Sequence, residues 1–289
     1  MKIKSILIFV VVLVMLIHCS SGPSHIFVNK TDSGAMQTDP QKSILFVLSA
    51  THTKLLRNGK TYKTGFFLSE FYEPYKMLKD QGYSIVIATT DGSKPVVDPE
   101  SLKKKYWKEN PQGVSIALDL VKNSAEFKNV LSLRQVLTDL DRFAGLVIPG
   151  GQGLMDDLLM NQEVHLLINK FGKANKPVGL VCHAPAILIH MKPAENPFFQ
   201  RKLTSVSNIE EWYIETFVMD GKAIVRDIGG ILDKQGYQHS NGFPGSSYAV
   251  ADCNLVTNQN PFSGNDFNEK FLQAVKMWES GAECVKGIQ

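Results

Sequence analysis

A cysteine followed directly by a histidine, Cys182-His183, lies between an apolar run and the first residues of a helical pattern. The stretch 177–181, Pro-Val-Gly-Leu-Val, predicts a buried strand, and 185–189, Pro-Ala-Ile-Leu-Ile, predicts the start of a helix. A sharp strand-to-helix turn exposes the side chain at its apex and aims backbone N–H groups at whatever that side chain attacks. A helix N-terminus also favours thiolate over thiol. His183 is placed to act as base, so the pair points to a cysteine-dependent enzyme.

Three more segments fall where a parallel sheet binds ligands, beyond the carboxyl ends of its strands. They are 63–70, a loop entering a helix that carries Glu70; 149–153, Pro-Gly-Gly-Gln-Gly; and 203–211, which ends in Glu210-Glu211.

The elements that must position them alternate. Residues 43–49 are a short apolar strand, about 65–80 a helix with Phe67, Phe71, Tyr75 and Leu78 on one face, and 83–88 the next strand. A polar, helix-rich stretch, about 98–141, interrupts the alternation and reads as an inserted helical cap. It resumes with strand 144–148, the glycine turn, a helix through Leu166 and the strand leading into Cys182. Near the end come strand 254–257 and amphipathic helix 268–280. The fold class that results is α/β: a single doubly wound, mostly parallel sheet of flavodoxin-like type.

The ordered set of segments resembles the PfpI-like superfamily with the class I glutamine-amidotransferase-like fold, and within it the glutathione-independent glyoxalase branch, whose members are also described as heat-shock chaperones. Gly82-Tyr83 and the run 256–261, Val-Thr-Asn-Gln-Asn-Pro, extend the resemblance over the chain from Ser43 to the last helix. It implies Cys182 as nucleophile, His183 as its partner, Glu211 as the acidic third member, with Glu210 the residue to confuse with it, and Glu70 as a carboxyl close to the thiol. Gly150 and Gly151 supply oxyanion donors, with Gln152 and Ala184 beside the substrate. Ala184 stands where glycine is common, Gln152 where histidine or tyrosine is frequent, and Asn258 where glycine is frequent.

The implied reaction converts methylglyoxal or a related 2-oxoaldehyde to a 2-hydroxy acid through a cysteine hemithioacetal, with no metal, nucleotide or glutathione. Alternatives are a holdase-type stress chaperone, a redox sensor, or, further off, an amidase or peptidase. Amidotransferases carry a late His-x-Glu pair, whereas His239 is followed by Ser240-Asn241.

A net charge of +3 over 289 residues gives no argument for a nucleic-acid partner. The partner expected is a small reactive carbonyl, and a homodimer stays open. Lys2 and Lys4 precede the apolar run 6–17, too short to span a bilayer and suited to a signal-peptide core. The 16–22 sequence, Leu-Ile-His-Cys-Ser-Ser-Gly, resembles a bacterial lipoprotein signal with Cys19 as the lipidated residue, although His18 replaces the usual small residue. The expected organisation is a signal over 1–19, a flexible tether over 20–39 and the α/β domain over 40–289. The protein is then an exported, membrane-anchored lipoprotein, with a soluble periplasmic form as the alternative. Pairing of Cys253 with Cys284 is left open by the sequence.

Overall fold

Strands whose residues are apolar on both faces need a cover on each side, and that requirement organises this molecule. The structure is a computed structural model that describes residues 25–29 and 43–286. The expected signal 1–19, Cys19 and most of the 20–39 stretch lie outside the described residues.

In chain order the strands are His25–Asn29 (β1), Ser43–Val47 (β2), Thr53–Leu55 (β3), Thr61–Lys63 (β4), Ser84–Thr89 (β5), Leu131–Ser132 (β6), Phe143–Ile148 (β7), Val178–Val181 (β8), Lys202–Leu203 (β9), Gln238–His239 (β10), Ala249–Asp252 (β11), Leu255–Asn258 (β12) and Ala282–Lys286 (β13). Seven form the main sheet in the order β11-β12-β8-β7-β2-β5-β6. Only the β11–β12 pair is antiparallel. All six residues of β7 and all four of β8 are buried, so both faces of the sheet are covered.

The helices that cover it are Leu68–Asp80 (α1), Gly113–Asn123 (α2), Ala125–Lys128 (α3), Leu133–Val136 (α4), Leu154–Asp157 (α5), Gln162–Lys173 (α6), Ala186–Ile189 (α7), Asn208–Tyr213 (α8), Ile228–Lys234 (α9) and Gly264–Glu279 (α10). α1 and α10 pack on each other, and α10 also lies on β7 and β12. Glycines in the sheet admit its rings: a Cβ at Gly179 would stand 2.6 Å from the Phe267 ring. This is the α/β architecture the alternation implies.

The differences are local. The helix expected to run through Leu166 is two helices, because Asn161 ends the first stretch and caps α6 through its side-chain oxygen to the amides of Glu163 and Val164. The 98–141 insertion is a cap only in part. β6 within it extends the main sheet beside β5, and α2 and α3 pack against α1 and each other. Only its first residues, 98–106, reach the site.

The 20–39 stretch is not wholly a tether either. β1 lies inside it and pairs antiparallel with β13 from His25↔Lys286 to Asn29↔Ala282. The His25 amide donates to Asp252 at 3.1 Å. A disulfide joins Cys253, in the β11–β12 turn, to Cys284 on β13, with a Cα–Cα distance of 5.8 Å. The sequence left that bond open, since the two residues are 31 apart and meet only when β13 folds back.

Candidate active site

β8 ends at Val181, and the chain turns sharply into α7. Cys182 occupies the turn with φ +59°, a left-handed conformation that is uncommon for a non-glycine residue. Two neighbours fix it there. The Cys182 amide donates to the carbonyl (2.9 Å) and the side-chain oxygen (3.1 Å) of Asn258, and its carbonyl accepts from the Val206 amide at 2.9 Å. Asn258 therefore braces the turn with an amide that a glycine would lack.

The His183 ring bridges thiol and carboxylate. Its Nδ1 is 3.2 Å from Cys182 Sγ, and its Nε2 is 2.7 Å from Glu211 Oε2. Glu211 is held below the usual carboxylate range by His183, Gln152 and Lys54, against a burial that acts the other way. As an acceptor Glu211 Oε2 suits an Nε2–H on the ring, and in that tautomer Nδ1 is left to accept from the thiol. Gln152 Nε2 lies 2.9 Å from the same ring nitrogen and 3.4 Å from Glu211 Oε1.

Glu70 approaches from the other side. It is buried in the first turn of α1, and burial raises its pKa to about 8. The Cys182 thiol and the Gly150 amide pull that value partly back down, but both carboxyl oxygens lack a well-formed hydrogen bond. Gly150 is the spacer: a Cβ there would stand 2.5 Å from Glu70 Oε2 and 2.8 Å from the Cys182 Cβ.

Burial and the nearby carboxylates, Glu70 first, push the Cys182 thiol well up. The expectation of a dipole-stabilised thiolate thus fails, because α7 has only four residues and the thiol is 5% exposed. Proton sharing takes its place. A neutral Glu70 lifts the strongest repulsion, and His183 Nδ1 lies within reach of the thiol proton.

Among the described residues, no acceptor takes up the amides of Gly151 and His183. They flank Cys182 and are placed to donate to an oxyanion there, whereas the Gly150 amide, expected as the partner of Gly151, is turned to Glu70. Gly151 has φ +108°, and a Cβ on it would meet the Gly65 carbonyl at 2.4 Å, so only glycine fits. Ala184 does not join them. Its amide donates to Val181 at 2.9 Å, and its buried side chain is turned from the cavity, so it packs rather than binds.

A cavity of about 370 Å³ opens over Cys182, Gly151, Gln152 and His183. Glu210 touches its wall but is a helix cap: its carboxylate accepts from Ser207 (2.8 and 3.0 Å), Gln259 (3.0 Å), Asn260 (2.8 Å) and the Gly245 amide (2.8 Å). Glu211, one residue on, faces the histidine, which resolves the choice between them.

Sequence reading missed three contributors. Lys54, 2% exposed on β3, lies 3.7 Å from Asp156 and adds positive charge near Glu211. Residues Ile214–Val218 form a π-helical turn after α8 and supply two residues of the cavity wall. The buried Glu215 in that turn binds Arg226 through two bonds, 2.5 and 2.6 Å, and the Ala223 amide at 3.0 Å. A lysine between a threonine and a leucine and a glutamate in a helical stretch carry no mark of burial in the sequence.

Residues 62–274 match the model of the DJ-1/PfpI family. A curated relative called protein/nucleic acid deglycase HchA, from Pseudomonas aeruginosa (strain LESB58), is 27% identical over 264 residues, which is 83% of this chain and 84% of the relative. Among solved structures, the rapid encystment protein 24 kDa of Francisella tularensis is 25% identical, with a TM-score of 0.64 over 81% of this chain and 99% of that one. Glyoxalase III of Candida albicans superposes with a TM-score of 0.66 over 81% of this chain and 97% of its own, at 21% identity, a likeness of fold.

Proposed function

The chain belongs to the DJ-1/PfpI family, and on that premise we propose that it is a glyoxalase- or deglycase-type enzyme that turns 2-oxoaldehydes into 2-hydroxy acids without glutathione. The observation that carries the proposal is a buried thiol held between His183 at 3.2 Å and a Glu70 carboxyl whose pKa is raised to about 8. The curated relative named deglycase supports an enzyme of this class.

His183 Nδ1 takes the thiol proton, and Sγ attacks the aldehyde carbon, C1. The C1–oxygen π pair becomes an alkoxide that meets the amides of Gly151 and His183 and takes the proton of Glu70. Glu70, ionised by that transfer, removes the hydrogen on C1 while the His183 imidazolium protonates the C2 oxygen, giving an enediol. Glu70 returns its proton to C2, and His183 takes the C1 hydroxyl proton as the C1 carbonyl forms, giving a thioester. Water adds to C1 and gives one proton to Glu70 as the S–C bond breaks, and His183 reprotonates the sulfur, releasing the 2-hydroxy acid and the thiol. C1 is oxidised and C2 reduced, so the sum is substrate plus water with no outside oxidant. Glu211 keeps His183 oriented and stabilises the imidazolium.

A thiol only 5% exposed favours small free carbonyls over adducts carried on a macromolecule. A second reading, a holdase chaperone, is favoured by one observation: Ile209, Trp212 and Phe217 are 62, 54 and 63% exposed at and beside the cavity mouth. Suppression of client aggregation by Cys182→Ala tests it apart from turnover. An exported, lipid-anchored location belongs to the proposal, and the Cys253–Cys284 disulfide supports it, because such bonds persist in oxidising compartments. Cell fractionation of wild type and Cys19→Ala tests that part. The enzymatic reading is tested by incubating the purified protein with methylglyoxal in the absence of glutathione. Lactate is expected, and none would end it.

A further inference from the structure

Methylglyoxal has five heavy atoms, and the cavity above Cys182 encloses about 370 Å³. Clefts of roughly 300–1,000 Å³ bury ligands far larger than that. With C1 seated between Sγ and the Gly151 amide, most of the cavity is left for the substituent on C2.

Apolar surface lines that remaining space. Phe67, Ile209, Tyr213, Ile214, Val218 and Phe262 form its sides. The charged groups that also touch it are already committed. Glu100 is held by Lys103 at 2.6 Å and Lys105 at 2.8 Å, and Lys105 lies over the rings of Tyr106 and Tyr213. Asp98 accepts from the Glu100 amide at 2.8 Å and from Thr64 at 3.0 Å, and Glu210 is fully occupied as a cap. A sugar chain, carboxylate or phosphate on the substrate would lose its water against this apolar wall, where the carboxylates already have partners, which is costly. An aryl or long alkyl group would lose only contact with water.

We infer that the preferred substrates are 2-oxoaldehydes with a bulky apolar substituent, and that the wall formed by α8 and the π-helical turn selects them. This rests on the glyoxalase reading and specifies its substrate class. The bond changes are those given above, since the substituent takes no part in them.

The test compares kcat/KM for three probes on the purified protein: methylglyoxal, phenylglyoxal, and a 2-oxoaldehyde bearing a polyol chain. Phenylglyoxal is expected to exceed methylglyoxal by at least about tenfold, the scale on which apolar pockets discriminate. The polyol probe is expected to fall below both. Ile209→Asp should cut the phenylglyoxal-to-methylglyoxal ratio at least about fivefold, by the same pocket discrimination in reverse. A ratio does not depend on the folded fraction, and Ile209 is 62% exposed, so misfolding does not blur the result. Methylglyoxal turnover without this preference, or a ratio unchanged in Ile209→Asp, overturns the inference and leaves the glyoxalase reading standing. Absence of product from all three probes overturns both.

Discussion

Cys182 and Cys253 share an unusual backbone, φ +59° and +61°, at opposite ends of the paired strands β8 and β12. At the carboxyl end, Cys182 is free, and its strained turn places a buried thiol among two carboxyl groups and an imidazole. At the amino end, Cys253 forms the tight β11–β12 turn, and its sulfur is spent in a bond that pins β13, to which β1 pairs. The same local conformation thus serves reactivity at one pole and closure at the other. What differs is the company: a Glu70 carboxyl without full hydrogen bonds near Cys182, and satisfied polar groups near Cys253. Asp252 there accepts from His25 and Lys202, and Arg201 donates to the Asp252 carbonyl and to Cys284 Sγ. One end gives up stability for chemistry, and the other adds stability.

The largest break expected in this contrast comes from Cys182→Ala. It removes the attacking atom and little volume, so turnover should fall by more than about a hundredfold while the melting transition stays close to wild type. Rate assays and thermal unfolding on the same preparation check both halves.

Glu70→Gln comes next and sharpens the contrast by moving activity and stability in opposite directions. It keeps shape but loses the exchangeable proton, so turnover should drop about 10²-fold. Folding raises the Glu70 pKa from the ordinary 4.5 to about 8. Between those values the native state binds a proton that the unfolded chain has released, so stability falls as pH rises through that window and levels off above it. Glu70→Gln should therefore be more stable than wild type at pH 8, by on the order of a few kcal/mol, and should lose that advantage towards pH 4. Denaturant titrations at the two pH values check this. Wild-type turnover should itself decline above about pH 8, where Glu70 ionises beside the thiol.

The smallest effect on activity belongs to the amino pole. Replacing both Cys253 and Cys284 by serine should cost about 2–5 kcal/mol of stability and leave kcat/KM within about twofold. A large loss of turnover would show that the two ends are coupled.

Much of this was legible in the sequence, for a physical reason. Apolar runs such as 43–49 and 144–148 report burial on both faces without any tertiary information, and the fold class follows from their alternation with helices. Cys182, Gly150 and Gly151 were legible because turns at strand ends need particular residue types. The tightest constraints at the site, however, come from contacts distant in the chain. Asn258 braces Cys182 across 76 residues, Glu215 binds Arg226 beneath the cavity wall, and Lys54 is buried on a hairpin that reads as a polar loop. Ala184 was expected beside the substrate because it follows Cys-His, yet the helical turn carries it away. The depressed thiol pKa expected from a helix dipole failed for a related reason, since neither the length of α7 nor the carboxyls facing it can be read from neighbouring residues.

Covalent attack by Cys182 is tested most directly by intact-protein mass spectrometry during turnover, with peptide mapping and parallel measurement of the 2-hydroxy acid. A transient adduct of one substrate mass on Cys182 is expected, decaying as the acid accumulates and absent from Cys182→Ala. Formation of the acid by Cys182→Ala at the wild-type rate, with no adduct in either protein, would contradict covalent attack.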